Sequence, residues 1–136
     1  MAIDSHMHIN SIYEMDIDDE IKRVNDDNNI KQVINVGVNI LTSTEANDIA
    51  MHHEKFYSAV GIHPLYIEYQ NASKLYNMIS DKTVAIGEIG LDDKFENYKL
   101  QREYLIKQIK IANELGLPII IHSNNSNKKI FEIFIS

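Results

Sequence analysis

The 136-residue sequence contains no cysteine, which excludes a disulfide framework and any metal site built on thiolates. No apolar run approaches the roughly 20 residues that a membrane span requires. The N-terminus also lacks the basic and apolar segments of a secretory signal peptide. We therefore expect a soluble, cytoplasmic protein, and its length fits one domain.

Positive charge is scarce as well. Thirteen Lys and Arg residues face 20 Asp and Glu residues, and the formal net charge is −7. This balance argues against broad electrostatic binding of nucleic acid, because such binding needs a positive surface. A metal ion could still bring a phosphate group onto an acidic protein.

Short apolar runs alternate with helical patterns along the whole chain. Predicted strands cover residues 2–4, 32–36, 57–60, 83–86 and 119–121, and predicted helices cover 18–25, 42–53, 72–80, 96–115 and 127–134. We expect Gly87 to end the fourth strand, and Thr42 or Ser43 to cap the second helix. This βα series predicts an α/β fold with a parallel sheet.

Polar residues fall at the ends of the predicted strands. His6 and His8 end the first strand, and His63, Glu88 and His122 follow the third, fourth and fifth. Each residue alone is more often an ordinary loop, turn or core residue. Because the ends of successive parallel strands meet at one rim, their shared position favours a common site. Imidazoles and a carboxylate are typical ligands of divalent ions such as Zn²⁺, Mn²⁺ or Mg²⁺.

Four ordered motifs carry a resemblance to a known family: DSHMH at 4–8, VGIHP at 60–64, AIGEIGLD at 85–92, and ELGLPIIIHS ending at Ser123. They resemble the TatD family of metal-dependent deoxyribonucleases, within the amidohydrolase-like barrels. The resemblance implies a TIM-type (β/α)₈ barrel, which needs eight strands and typically ~250 residues. The chain is thus expected to form a single truncated domain, the N-terminal five-strand portion of an incomplete barrel.

The resemblance also implies roles for individual residues. His6 and His8 would bind one divalent ion, His122 would bind a second, and Glu88 would bridge the two. His63 would lie where the family contacts substrate phosphate. A complete site would then hold two ions (Zn, Mg or Mn) and hydrolyse phosphodiester bonds in DNA. Asp4, the acid of the DSHMH motif, is expected to support the metal-binding strand.

The chain departs from the family pattern at two motifs. Asp93 and Lys94 stand where the family usually has an aromatic pair, and Asn124 and Asn125 stand where it usually has Arg-Asp. The second change removes a cation that would suit a phosphate. The family's further metal-binding His and its water-activating acid have no counterpart by motif here, so the catalytic acid is expected beyond Ser136.

Two classes of function therefore stay open. The chain is either part of a metal-dependent nuclease with DNA as its substrate, or a catalytically inactive barrel remnant that acts as a metal-binding or association module. Half a barrel leaves two open sheet edges, and open edges invite pairing with another chain. We expect self-association through those edges, and negligible nuclease activity from residues 1–136 alone.

Overall fold

The computed structural model describes all 136 residues, Met1–Ser136. Five strands form one parallel sheet in the order β1-β2-β3-β4-β5. The strands are β1 (Ala2–Met7), β2 (Ile30–Val36), β3 (Phe56–Val60), β4 (Thr83–Asp92) and β5 (Ile119–Asn124). The α-helices are α1 (Ile17–Asp26), α2 (Ile40–His52), α3 (Tyr98–Leu115) and α4 (Asn127–Ile135), and short 3₁₀ helices span Pro64–Tyr66 and Ala72–Met78.

Neighbouring strands follow chain order, and helices connect them. This arrangement is the wall of a (β/α) barrel over five of its eight strands, so the expected half-barrel is confirmed. None of the helices combines the length and the apolar composition needed to cross a membrane.

The core lies between the sheet and its helices. One buried cluster joins β4 to α3 through residues such as Ile89 and Leu105, and a second joins β2 and β3 to α1 and α2 through Val33 and Phe56. The central strands are buried on both faces, as parallel sheets generally are. The edge strand β1 is mostly exposed, with Ile3 60% exposed.

The start of α2 differs from the prediction. The helix begins at Ile40, and its N-cap is Asn39, whose side chain accepts a hydrogen bond from the Thr42 N–H at 2.8 Å. Thr42 instead completes a capping box, because its Oγ1 accepts from the Asn39 N–H. Ser43 is buried, and its hydroxyl donates to the Gly61 carbonyl. The prediction of Thr42 or Ser43 as the cap was wrong because both hydroxyls have other partners.

Strand β4 also differs, since it continues through Gly87 to Asp92. A Cβ on Gly87 would lie 2.6 Å from the Ile120 Cβ, and one on Gly90 would lie 1.8 Å from the His122 carbonyl oxygen. These glycines therefore permit the close approach of β5, and Gly87 does not end the strand. The predicted helix over 72–80 is likewise a 3₁₀ helix, Ala72–Met78.

Two buried glutamines on α3 bind the backbone near the ends of β3 and β4. Gln108 accepts from the Ile62 N–H at 2.7 Å and donates to the Ile62 carbonyl at 3.1 Å. Gln101 does the same to Asp92, at 2.8 and 3.1 Å. The two glutamines are seven residues apart and so share one face of the helix. Helix α3 thereby fixes the backbone at the ends of both β3 and β4.

Replacing Gln108 with Leu is expected to lower the free energy of unfolding by roughly 2–6 kcal/mol, because each of two buried backbone groups left unpaired costs about 1–3 kcal/mol. Urea denaturation followed by circular dichroism measures the change. Lys110→Leu, on the exposed side of the same helix, is the control and should shift stability by about 0.5 kcal/mol or less. Equal effects of the two substitutions would contradict this account of Gln108.

Candidate metal centre

Five predicted site residues meet at the carboxyl ends of the strands. His6 lies in β1, Glu88 in β4 and His122 in β5, while His8 and His63 follow β1 and β3 directly. The side chain of Glu88 is 13% exposed and contacts all four rings. The structure thus brings the whole predicted set together.

The two carboxylate oxygens of Glu88 face different histidines. Oε2 lies 3.2 Å from His6 Nε2 and 3.6 Å from His8 Nε2, and those two nitrogens are 3.1 Å apart. Oε1 lies 3.3 Å from His122 Nδ1 and 4.0 Å from His63 Nε2. In each group the candidate ligand atoms lie within 4.8 Å of one another, which is close enough for a common ion.

Hydrogen bonds outside the cluster determine which ring nitrogen carries the proton in two of the histidines. His8 Nδ1 lies 2.8 Å from the Val36 carbonyl, and only an N–H can pair with a carbonyl oxygen. His122 Nε2 lies 2.8 Å from Asp92 Oδ2, which as a carboxylate oxygen also only accepts. The free lone pairs are therefore on His8 Nε2 and His122 Nδ1, and both face Glu88.

His63 has the opposite arrangement. The Leu65 N–H donates to His63 Nδ1 at 3.0 Å, so the neutral ring carries its proton on Nε2, the atom directed towards Glu88. Burial, followed by the neighbouring His122, lowers the pKa of His63 to about 4, although Glu88 and Asp92 act in the opposite direction. At neutral pH His63 thus offers an N–H donor where His8 and His122 offer lone pairs.

Asp92 is a site residue that the sequence analysis missed. It is buried, and besides His122 it accepts from the Lys94 N–H at 2.9 Å and the Asn124 amide at 3.0 Å. Burial alone would raise the pKa of Asp92, but these hydrogen bonds outweigh burial and lower it. Its position four residues after Glu88 on one strand was the available signal, because residues i and i+4 share a face.

Asp93 and Asn124, which depart from the family pattern, have hydrogen-bond partners in the structure, and so does Asp4. Asp93 accepts from the Ser126 hydroxyl and the Lys129 ammonium, which ties the end of β4 to the start of α4. Asp4 is exposed and accepts from the His6 N–H at 3.0 Å, which supports the backbone of β1 locally. Asn124 is exposed, and its side-chain amide donates to Asp92.

The donor set fits divalent cations. Imidazole lone pairs and carboxylate oxygens are ligands for Zn²⁺ and Mn²⁺, and carboxylate oxygens also suit Mg²⁺. Without a cation, the lone pairs of His8 and His122 face the oxygens of one carboxylate, an arrangement in which acceptors oppose acceptors. In this parallel half-barrel the candidate ligands lie at the carboxyl rim, where barrel enzymes have their active sites.

The chain belongs to the TatD family, because the family described as TatD related DNase matches residues 3–136. This confirms the resemblance carried by the four motifs. An uncharacterized metal-dependent hydrolase of Methanocaldococcus jannaschii, MJ1582, is 31% identical over 96% of this chain and 54% of its own length.

A deoxyribonuclease of Schizosaccharomyces pombe, Tat-D, is 31% identical over 76% of this chain and 39% of its own length. The crystal structure of the TatD homologue YjjV from Escherichia coli superposes with a TM-score of 0.78 and 25% identity, over 93% of this chain and 52% of that one. The chain spans about half the length of the curated relatives it matches.

The metal-free protein is expected to show His63 titrating near pH 4, against 6.5 for an ordinary histidine. Since the unfolded chain binds this proton more readily, His63 makes the folded state less stable as the pH falls from about 6.5 to about 4. NMR of labelled histidine rings in the presence of a chelator measures the titration. The same resonance in urea is the reference, and coincident folded and unfolded titration curves would contradict the assignment.

Proposed function

We propose that this chain forms the N-terminal half of a two-metal phosphodiesterase site that acts on DNA. The observation that carries the proposal is the division of the Glu88 carboxylate between two groups of histidines. His6 and His8 would hold one ion with Oε2, and His122 would hold a second with Oε1. When bound, such ions act as Lewis acids towards phosphate oxygens and lower the pKa of water.

We assign His63 to substrate rather than to metal. Its Nδ1 lone pair already accepts from the Leu65 N–H, so the neutral ring has no free lone pair directed at the cluster. Its Nε2–H is directed into the site and can donate to a phosphate oxygen, where charge increases in the transition state. Its low pKa keeps the ring a neutral donor across the neutral range.

The choice of DNA rests on the relatives. The Schizosaccharomyces pombe relative is named a deoxyribonuclease, and the net charge of −7 leaves metal ions as the means of attracting a phosphate. His63 and the two ion positions together would contact one phosphodiester group.

The alternative of an inactive metal-binding module is favoured by one specific observation. The two carboxylates in the cluster are Glu88 and Asp92, and both are engaged by histidines. Neither is free to position an attacking water, and loss of a general base typically costs 10²–10⁴-fold in rate. The isolated 136-residue chain should therefore bind metal ions but hydrolyse little DNA.

Association through the sheet edges stays a prediction. The edge strands β1 and β5 expose Ile3 and Ile121, and open edges can pair with another chain. Sedimentation velocity of the isolated chain measures its oligomeric state, and a monomer at high concentration would contradict this expectation.

Replacing Glu88 with Gln is expected to weaken binding of Zn²⁺ or Mn²⁺ at least tenfold, because the amide supplies one neutral oxygen in place of two charged ones. Binding to the wild-type chain should itself weaken as acid protonates the imidazoles. Calorimetric titration of both proteins at neutral pH, and of the wild type at acid pH as well, measures these affinities. The control is Glu103→Gln on the exposed side of α3, which should bind like wild type. Unchanged binding in Glu88→Gln would refute a metal role for Glu88.

A fusion of residues 1–136 to the C-terminal half of MJ1582 tests the catalytic proposal. We expect the chain alone to leave labelled single-stranded DNA intact with Mg²⁺ or Mn²⁺, and the fusion to hydrolyse it. His63→Ala in the fusion should lower the rate while metal affinity is retained.

A folded, metal-binding fusion without hydrolysis would favour the inactive module. Substantial turnover by the 136-residue chain alone, lost in Glu88→Gln, would show that no further acid is needed.

A further inference from the structure

We propose that Asp92 is a positioning residue for His122: its carboxylate holds the imidazole proton on Nε2 and so keeps the Nδ1 lone pair available beside Glu88. The inference rests on the metal role proposed for His122. It concerns which of two tautomers the ring adopts, and that property is measurable without any metal.

The carboxylate of Asp92 has one oxygen committed and one directed at the ring. Oδ1 accepts from the Lys94 N–H at 2.9 Å and from the Asn124 amide at 3.0 Å. Oδ2 lies 2.8 Å from His122 Nε2. Because Oδ1 is held by two donors, the carboxylate cannot rotate without breaking both hydrogen bonds. Oδ2 is therefore presented to the ring in one orientation.

The backbone of Asp92 is held as firmly as its side chain. Gln101, which is 1% exposed, accepts from the Asp92 N–H and donates to the Asp92 carbonyl. Asp92 itself is 6% exposed, so water competes little for these bonds. A buried carboxylate with every partner in place is a rigid reference point for a neighbouring ring.

The register of β4 and β5 places His122 between the two acids. Gly90 pairs with His122, and Asp92 pairs with Asn124. Glu88 and Asp92 lie two residues on either side of Gly90 and share its strand face. Since Gly90 has no Cβ, the His122 backbone can lie close to β4. The imidazole contacts both carboxylates, Glu88 through Nδ1 and Asp92 through Nε2.

The contact between Asp92 and His122 determines which ring nitrogen keeps a free lone pair. A neutral imidazole carries one proton, and a proton on Nδ1 would occupy the atom that faces Glu88. An acceptor at Nε2 favours the other tautomer, and a carboxylate there also makes the ligating nitrogen more basic. Loss of such a partner typically costs 10–100-fold in metal affinity.

Asp92→Asn tests the inference with almost no change of shape. Two donors, from Lys94 and Asn124, require an oxygen at the Oδ1 position, so the new NH₂ group takes the position of Oδ2. It then points a donor at His122 Nε2, which must become the acceptor, and the ring proton moves to Nδ1. The matched control is Asp93→Asn, because Asp93 is adjacent but bonds Ser126 and Lys129 instead.

Two-bond ¹H–¹⁵N spectra of the metal-free chain report the tautomer of His122. We expect an Nε2–H ring in the wild type and in Asp93→Asn, and an Nδ1–H ring in Asp92→Asn. Zinc affinity, measured by competition with a chromophoric chelator, should fall 10–100-fold in Asp92→Asn and stay unchanged in Asp93→Asn. A merely structural role for Asp92 would lower thermal stability without changing the tautomer.

An Nδ1–H ring at His122 in the wild type would overturn the inference, and this spectrum decides the matter even if Asp92→Asn does not fold. An unchanged tautomer in folded Asp92→Asn would overturn it too. A tautomer switch in a protein that binds no zinc would support the role of Asp92 and refute the proposed function, so the two failures are distinguishable.

Discussion

The Glu88 carboxylate lies between four imidazole rings, and the arrangement of the rim depends on it. The Glu88 side chain can contact both groups of histidines only if its backbone is held in place between them. Strand β4 meets this requirement by continuing through Gly87 to Asp92, and the Glu88 N–H donates to the Gly37 carbonyl at 3.0 Å. In a turn after a shorter strand, Glu88 would have lacked this support.

The helix that follows β4 contributes as much to the rim as the strands do. Gln101 and Gln108 replace hydrogen bonds that the backbone would otherwise lose at the ends of β4 and β3. A buried amide costs free energy unless it is paired, and both glutamines pair their oxygen and their nitrogen. Packing of α3 against β4 therefore holds Asp92 and the segment before His63 in place.

Much of this arrangement could be predicted from the sequence because it depends on order and position. The alternation of strand and helix indicated the parallel half-barrel, and the shared location after strands selected His6, His63 and His122 as neighbours. The family motifs added the division of roles, which position alone does not supply.

The remainder depends on distances between segments that are remote in the sequence. Gly87 was expected to end the fourth strand, but Gly87 and Gly90 lie inside β4, where β5 passes too close for a side chain. Asn39 caps α2 three residues before Thr42, since both predicted hydroxyls have other partners. Asp92 needed the pairing of β4 with β5 to be seen as a partner of His122.

The three histidines proposed as metal ligands differ in the partners of their outer ring nitrogens. His8 donates to the Val36 carbonyl, and His122 donates to Asp92. His6 lies on the edge strand, its side chain is 41% exposed, and its Nδ1 has no partner in the protein. His122 also lies on an edge strand, β5, but its neighbour β4 presents Asp92 to the outer nitrogen of the ring. The His122 ring is therefore held in one orientation and one tautomer by Asp92. No partner at Nδ1 fixes the tautomer of the His6 ring in the same way.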